Sequence, residues 1–168
     1  DVRDRGRLTQ VFKNAKPDIV FHAAALKHVP IVERNVIEGI NTNVLGTANV
    51  ADTCRASDVQ NMVLISTDKV VNPTSIMGAS KRLAECYCQA HDLLAESTGA
   101  GTRFVTVRFG NVLGSTGSVV PLFQRQLAEG GPLTVTDTDV SRFFMTIREA
   151  VELVLQAAAL GAGEIGGR

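Results

Sequence analysis

Residues 62–81 open with Met62-Val63-Leu64-Ile65-Ser66-Thr67-Asp68-Lys69 and, after a loop containing Pro73, continue Ile76-Met77-Gly78-Ala79-Ser80-Lys81. The first run is short, apolar and partly β-branched, and it turns polar at its end, which predicts a buried strand from Met62 to Ser66. A helix is expected from about Ile76 to Glu96, broken by Thr98-Gly99-Ala100-Gly101. The same alternation extends in both directions. Upstream lie an expected helix from Arg5 to Asn14 that stops near Pro17, a buried strand from Asp18 to Ala24 and a helix from Val36 to Ala56. Downstream come a strand from Arg103 to Phe109, a Gly-rich loop from Gly110 to Ser118 and a helix from Pro121 to Ala128, ended by Gly130-Gly131-Pro132. Thr146-Ile147-Arg148-Glu149 has the form of a capping box and starts a last helix, for which Gly161 is the natural stop. Strands that alternate with helices predict an α/β fold, a doubly wound parallel sheet covered on both faces.

The 168 residues suit one domain, and 45% hydrophobic with 20% charged residues is an ordinary soluble composition. Seventeen basic residues cancel seventeen acidic ones. No net field favours nucleic acid or an anionic membrane, so any anionic ligand must be held locally. No apolar run is long enough for a membrane span and no signal peptide opens the chain. Cys54, Cys86 and Cys88 are odd in number and fall in expected helices. With no second Cys/His cluster they are read as buried reduced thiols of a cytosolic protein, and no metal is expected. His22, His28 and His91 have no metal-ligand spacing; His91 is read as helix surface and His22 as packing or cofactor-adjacent.

In parallel sheets of this kind ligands sit beyond the carboxyl ends of the strands. Polar residues collect at those ends: His22 and Lys27 after the first strand, Ser66 to Lys69 after the second, Arg108 and Asn111 after the third. Helix caps account for some of them. A Gly-rich turn between a first strand and a helix, the usual pyrophosphate cradle, is missing. The chain therefore reads as a piece lacking its first two or three strands, with Gly163 to Arg168 as the start of another. The isolated chain is expected to be marginally stable or to aggregate.

Asp1-Val2, His22-Ala23-Ala24-Ala25, Asn43-Val44-Leu45-Gly46-Thr47, Ser66-Thr67-Asp68-Lys69, Lys81 and Arg108-Phe109-Gly110-Asn111 together resemble the extended short-chain dehydrogenase/reductases. Ser-Thr-Asp-Lys followed by Asn72-Pro73-Thr74 and Met77-Gly78-Ala79-Ser80-Lys81 is similar, more narrowly, to the polysaccharide-biosynthesis (CapD-like) group of UDP-N-acetylglucosamine 4,6-dehydratases. The resemblance implies an incomplete Rossmann-like sheet with a small C-terminal substrate-binding portion. Residues 1–110 would form a partial NAD(P)-binding domain with the catalytic segment, and 111–168 a partial nucleotide-sugar region interleaved with it. It also implies NAD or NADP as cofactor, a UDP-sugar substrate, a homo-oligomer, and a cytoplasmic enzyme whose parent is anchored, if at all, at the inner membrane face. By the same resemblance Asp1, Val2, Ala23, Ala24, Ala25, Asn43, Ser66 and Lys81 would meet the cofactor. Lys27, Arg108, Asn111 and Arg142 would meet the substrate, and Thr67, Asp68, Lys69, Met77 and Lys81 would form the catalytic set.

In the implied reaction carbon 4 of the sugar is oxidised, the ketone acidifies the hydrogen at carbon 5, the carbon 6 hydroxyl leaves, and the hydride returns at carbon 6. Asp68 is the implied acid and Lys69 the implied base, roles that need the neutral form of each and so depend on desolvation. The two titrate as a coupled pair. Thr67 is placed to bond the carbon 4 oxygen, and Arg108 and Arg142 to pair with a diphosphate. The wider superfamily uses Tyr-x-x-x-Lys, but Met77 stands at the Tyr position and a thioether cannot titrate. Water or the Asp68/Lys69 pair must then take the carbon 4 proton. Two other readings remain: a UDP-sugar 4-epimerase, which needs no elimination acid or base, and a non-catalytic nucleotide-sugar-binding protein.

Overall fold

The computed structural model describes residues 1–163 apart from 116, 117 and 136. Of the strand start expected from Gly163 to Arg168, Gly163 is the last residue of a helix and 164–168 lie outside the described residues. Three parallel strands, β1 (Ile19–His22), β2 (Asn61–Thr67) and β3 (Arg103–Phe109), form a sheet in the order β1-β2-β3. The helices α1 (Arg5–Ala15), α4 (Gly46–Ala56) and α5 (Ile76–Thr98) cover one face, and α7 (Ile147–Gly163) covers the other. The doubly wound α/β fold is thus present as a small sheet.

Alternation along β2 and β3 separates two cores. Met62, Leu64 and Phe104 pack with Phe12, Val50, Ala51, Cys54 and Cys88 on the α5 side. Val63 and Val107 pack with Ala158 on the α7 side, joined by Val105, Phe109 and Val154. The long helix α5 is fixed at both ends. Ser75 Oγ accepts from Gly78 N at 3.1 Å, Glu33 Oε1 accepts from Ile76 N at 2.6 Å, and Gly99 closes the far end at φ 66°.

Several expectations change. β1 is only four residues long, because beyond His22 the chain leaves β2 and Ala23 and Ala24 join the loop, and it lies at the sheet edge rather than buried, with Ile19 and Phe21 42% and 45% exposed. The helix from 36 to 56 contains a π-helical turn, Asn41–Leu45, between α3 (Val36–Ile40) and α4. A short helix α2 (Val29–Arg34) and a parallel pair, β4 (Asn111–Val112) with β5 (Phe144–Met145), were not legible as elements. The downstream helix α6 spans Val119–Ala128. Gly161 does not stop α7. A Cβ there would lie 2.3 Å from Val105 Cγ2, so the glycine serves close helix–sheet approach. His91 is not simple helix surface: it stacks edge-on against Tyr87 at 4.7 Å and lies 5.7 Å from Phe104.

The cysteines give a direct check of this packing. Cys54 and Cys88 are fully buried, as expected, and burial pushes both thiols up to about 12, whereas Cys86, expected to be buried, is exposed on α5. A thiol-specific reagent is expected to label Cys86 rapidly in the native protein and the other two only on unfolding. Rapid native labelling of Cys54 or Cys88 would contradict the core described here.

Glu85 makes a second check. Its side chain is 3% exposed and pairs with Arg108 Nη2 at 2.5 Å and Arg82 Nη1 at 3.1 Å. Burial pushes its carboxyl up, but the hydrogen bonds from the arginines outweigh that and hold it below the usual range. A lowered carboxylate contributes stability above its unfolded pKa, about 4.3, and loses it as pH falls through the folded value. The stability gap between wild type and Glu85→Gln is therefore expected to narrow as urea titrations move from pH 6 towards pH 3.

Candidate functional site

A cavity of about 310 Å³ opens at the carboxyl ends of the three strands. The loop after β1 supplies Ala23, Ala25 and Lys27, and the end of β2 supplies Ser66, Thr67 and Lys69. Met77 and Lys81 enter from α5, one helical turn apart. Phe109, Gly110, Asn111, Val112 and Ser115 close the third side. Three lysines, Lys27, Lys69 and Lys81, line this one cavity in an electrically neutral chain.

Each group is held for a physical reason. Lys81 Nζ donates to Ile65 O at 2.9 Å, and burial pushes its ammonium below the usual range. His22 is buried beside it. Thr47 gives its hydroxyl proton to Asn43 O at 2.7 Å, so His22 Nε2 must be the donor to Thr47 Oγ1 at 2.9 Å. Burial, then the Lys81 charge, lowers His22 to about 4, which keeps the ring neutral. Asn43, 1% exposed within the π-helical turn, bonds both Leu26 N and O at 2.7 and 3.0 Å and Ser80 Oγ at 3.0 Å. It ties the loop after β1 to α5.

A 3₁₀ turn, Asp68–Val70, follows β2. Lys69 Nζ donates to Asp68 Oδ1 at 3.0 Å and Thr67 Oγ1 donates to the same oxygen at 2.9 Å. Burial pushes Asp68 up, but these bonds win and hold it below the usual carboxylate range. Asp68 and Lys69 are 49% and 44% exposed. Without a ligand the desolvation their implied roles require is absent, and Asp68 is held as the carboxylate.

The structure brings Ala23, Ala25, Lys27, Ser66, Thr67, Lys69, Met77, Lys81 and Asn111 to one cavity. Asp68 stands just behind it, with Oδ2 3.5 Å from where a Cβ on Gly110 would be. Other expected residues are placed elsewhere. Arg108 points to the α5 face, where Glu85 takes its guanidinium, so it does not face this cavity. Asn43 acts behind the wall. Asp1 is engaged by Arg3, and Val2 packs against Gly46. Arg142 is exposed and bonds Ser141 O at 2.9 Å, away from the lining. Phe143, next to it, is 94% exposed, and the segment is held instead by the β4–β5 ladder, with Asn111 N donating to Phe143 O at 3.3 Å. Phe109, Gly110, Val112 and Ser115 join the wall without having been expected there. Phe109 and Gly110 carried the signal of the Arg108-Phe109-Gly110-Asn111 motif, and Val112 and Ser115 only that of the Gly-rich loop.

No metal-holding group of His, Cys, Asp or Glu occurs among the described residues, and no described helix is long and apolar enough to cross a membrane.

Residues 1–165 match the family model described as polysaccharide biosynthesis protein. The chain is 52% identical to the capsular polysaccharide biosynthesis protein CapD of Staphylococcus aureus over 97% of its length and 26% of the relative's. It is 42% identical to a UDP-N-acetylglucosamine 4,6-dehydratase (inverting) of Campylobacter jejuni over 92% of the chain and 46% of the relative. To a UDP-glucose 4-epimerase of Rickettsia bellii it is 40% identical over 96% and 46%. The chain thus spans between a quarter and a half of these relatives. The X-ray structure of Pen from Bacillus thuringiensis superposes with a TM-score of 0.88 at 40% identity, over 97% of this chain and 49% of that one. The fold alone is shared with a Thermus thermophilus UDP-glucose 4-epimerase complexed with NAD, at TM-score 0.79 and 24% identity over 94% and 58%.

Proposed function

The chain belongs to the polysaccharide biosynthesis protein family, and from that premise we propose that it carries the catalytic half of a UDP-sugar 4,6-dehydratase acting on UDP-N-acetylglucosamine or a close relative. The observation that carries the reading is the Thr67-Asp68-Lys69 triplet at the end of β2, with an acid and a base 3.0 Å apart at a lysine-lined cavity. A 4-epimerase needs no such pair, which favours dehydration over the epimerase name also found among the relatives.

The wall fits one end of a nicotinamide cofactor. Ala23 and Ala25 leave room beside the strand ends, and Lys81 offers a fixed cation for a ribose hydroxyl. NAD or NADP, when bound, supplies oxidation at carbon 4 and reduction at carbon 6. The chain's own residues handle protons and position. Thr67 bonds the carbon 4 oxygen, Lys69 removes the proton at carbon 5, and Asp68 protonates the departing carbon 6 hydroxyl. Lys27 and Asn111 also line the cavity and are the side chains that would meet the sugar nucleotide.

The test is product analysis by NMR after incubating the holoenzyme with UDP-N-acetylglucosamine in deuterated water. A 4-keto-6-deoxy sugar carrying deuterium at carbon 5 is expected. A 4-epimer without deuterium would replace this reading with the epimerase, and binding without turnover would replace it with a non-catalytic protein.

A further inference from the structure

Met77 lines the cavity but cannot accept a proton, so the oxidation of carbon 4 lacks its usual acceptor. Asp68 lacks the opposite thing: it must donate a proton in the elimination, yet its hydrogen bonds hold it as a carboxylate. Thr67 connects the two. Thr67 lines the cavity, Asp68 borders it beside Gly110, and the Thr67 hydroxyl donates to Asp68 Oδ1 at 2.9 Å. It also accepts a long bond from Lys69 N at 3.4 Å, which leaves a lone pair for an incoming donor.

Resting on the dehydratase reading, we propose that Thr67 relays the carbon 4 hydroxyl proton to Asp68, and that this step loads the acid used in the elimination. The O–H bond at carbon 4 breaks, Thr67 Oγ1 takes that proton and passes its own to Asp68 Oδ1, while the hydride goes to the nicotinamide cofactor. Lys69, no longer facing a carboxylate, gives its ammonium proton to solvent. The carbon 6 hydroxyl then leaves as water with the proton from Asp68, and Lys69 takes the proton from carbon 5. When the hydride returns to carbon 6, Lys69 returns a proton to carbon 5. Asp68 ends as a carboxylate, and Lys69 regains its proton from solvent. The proton that a tyrosine would have taken leaves in the product water, so Met77 costs the cycle nothing.

The 6-deoxy analogue of UDP-N-acetylglucosamine isolates the step, because it can be oxidised at carbon 4 but has no hydroxyl to expel. Mixing it with the holoenzyme should raise the absorbance of reduced nicotinamide. In the infrared difference spectrum a carboxylic-acid carbonyl band should grow with it, and Asp68→Asn should remove that band. Thr67→Val should bind the analogue somewhat more weakly, for want of the bond to the carbon 4 oxygen, but at saturating analogue should oxidise it about 10²-fold more slowly, without the band, and Thr67→Ser should restore both. Oxidation by wild type without the band, or a Thr67→Val protein that forms it at the wild-type rate, would overturn the relay alone. A holoenzyme that makes no 4-keto-6-deoxy product from UDP-N-acetylglucosamine overturns the dehydratase reading and the relay with it.

Discussion

Lys69→Met is expected to lower dehydration by about 10²–10⁴-fold, the range for removal of a positioned acid or base, with the affinity for the UDP-sugar changed only a few-fold. Lys69 lines the cavity, and its ammonium is held 3.0 Å from Asp68 Oδ1 just after β2. Methionine keeps the length and the apolar stem and removes only the group that exchanges a proton with carbon 5. Oxidation at carbon 4 does not use that group as acceptor in the relay through Thr67. The variant should therefore accumulate reduced cofactor and fail to exchange the carbon 5 hydrogen with solvent deuterium. Stopped-flow absorbance and NMR of the recovered sugar nucleotide read the two effects separately. Wild-type rates of product formation in Lys69→Met would sink the role of Lys69. Rates unchanged from zero in both proteins would favour a binding protein.

The sequence carried much of this site because parallel sheets put strand ends together. Ser66 to Lys69, Lys27 and Asn111 are far apart in the chain, yet each follows a strand, and the three strands are in register from Asn61 opposite Ile19 and Arg103. Met77 and Lys81 needed only the helical spacing. Arg108 shows where such reasoning stops. It is also at a strand end, but alternation sends its side chain to the α5 face, and a buried Glu85 on the helix claims it. A charge partner 23 residues away leaves no local mark in the sequence. Asn43 is similar: a polar residue inside a helical run gives no sign that its amide will bracket Leu26 and Ser80. Periodicity alone did not show which strand would be the exposed edge. An apolar run reads as buried whether or not anything covers it, and Phe21 is 45% exposed. The β4–β5 pair is two residues per strand, too short for any periodicity to register.

The motif Met77-Gly78-Ala79-Ser80-Lys81 contains a glycine whose role is legible only in three dimensions. A Cβ on Gly78 would lie 2.5 Å from Lys69 O, 3.2 Å from Pro73 Cβ and 3.3 Å from Ser75 Oγ. The first of these is backbone, so relief requires moving the turn that carries Asp68 and Lys69 away from the start of α5. A displacement of the order of 1 Å in an acid/base constellation costs about 10²-fold in rate, and Gly78→Ala is expected to lose activity on that scale. Alanine has the better helix propensity by roughly 1 kcal/mol, so the loss of stability should be smaller than the clash alone would give. Gly99 supplies the contrast. It sits at φ 66° with nothing within 4 Å of a Cβ, so Gly99→Ala is expected to cost about 1 kcal/mol from left-handed strain and to leave turnover intact. Paired measurements of urea midpoint and kcat on the two variants separate the causes. If Gly78→Ala kept wild-type turnover, the direct packing of α5 on the Lys69 carbonyl would not be what sets the acid/base geometry.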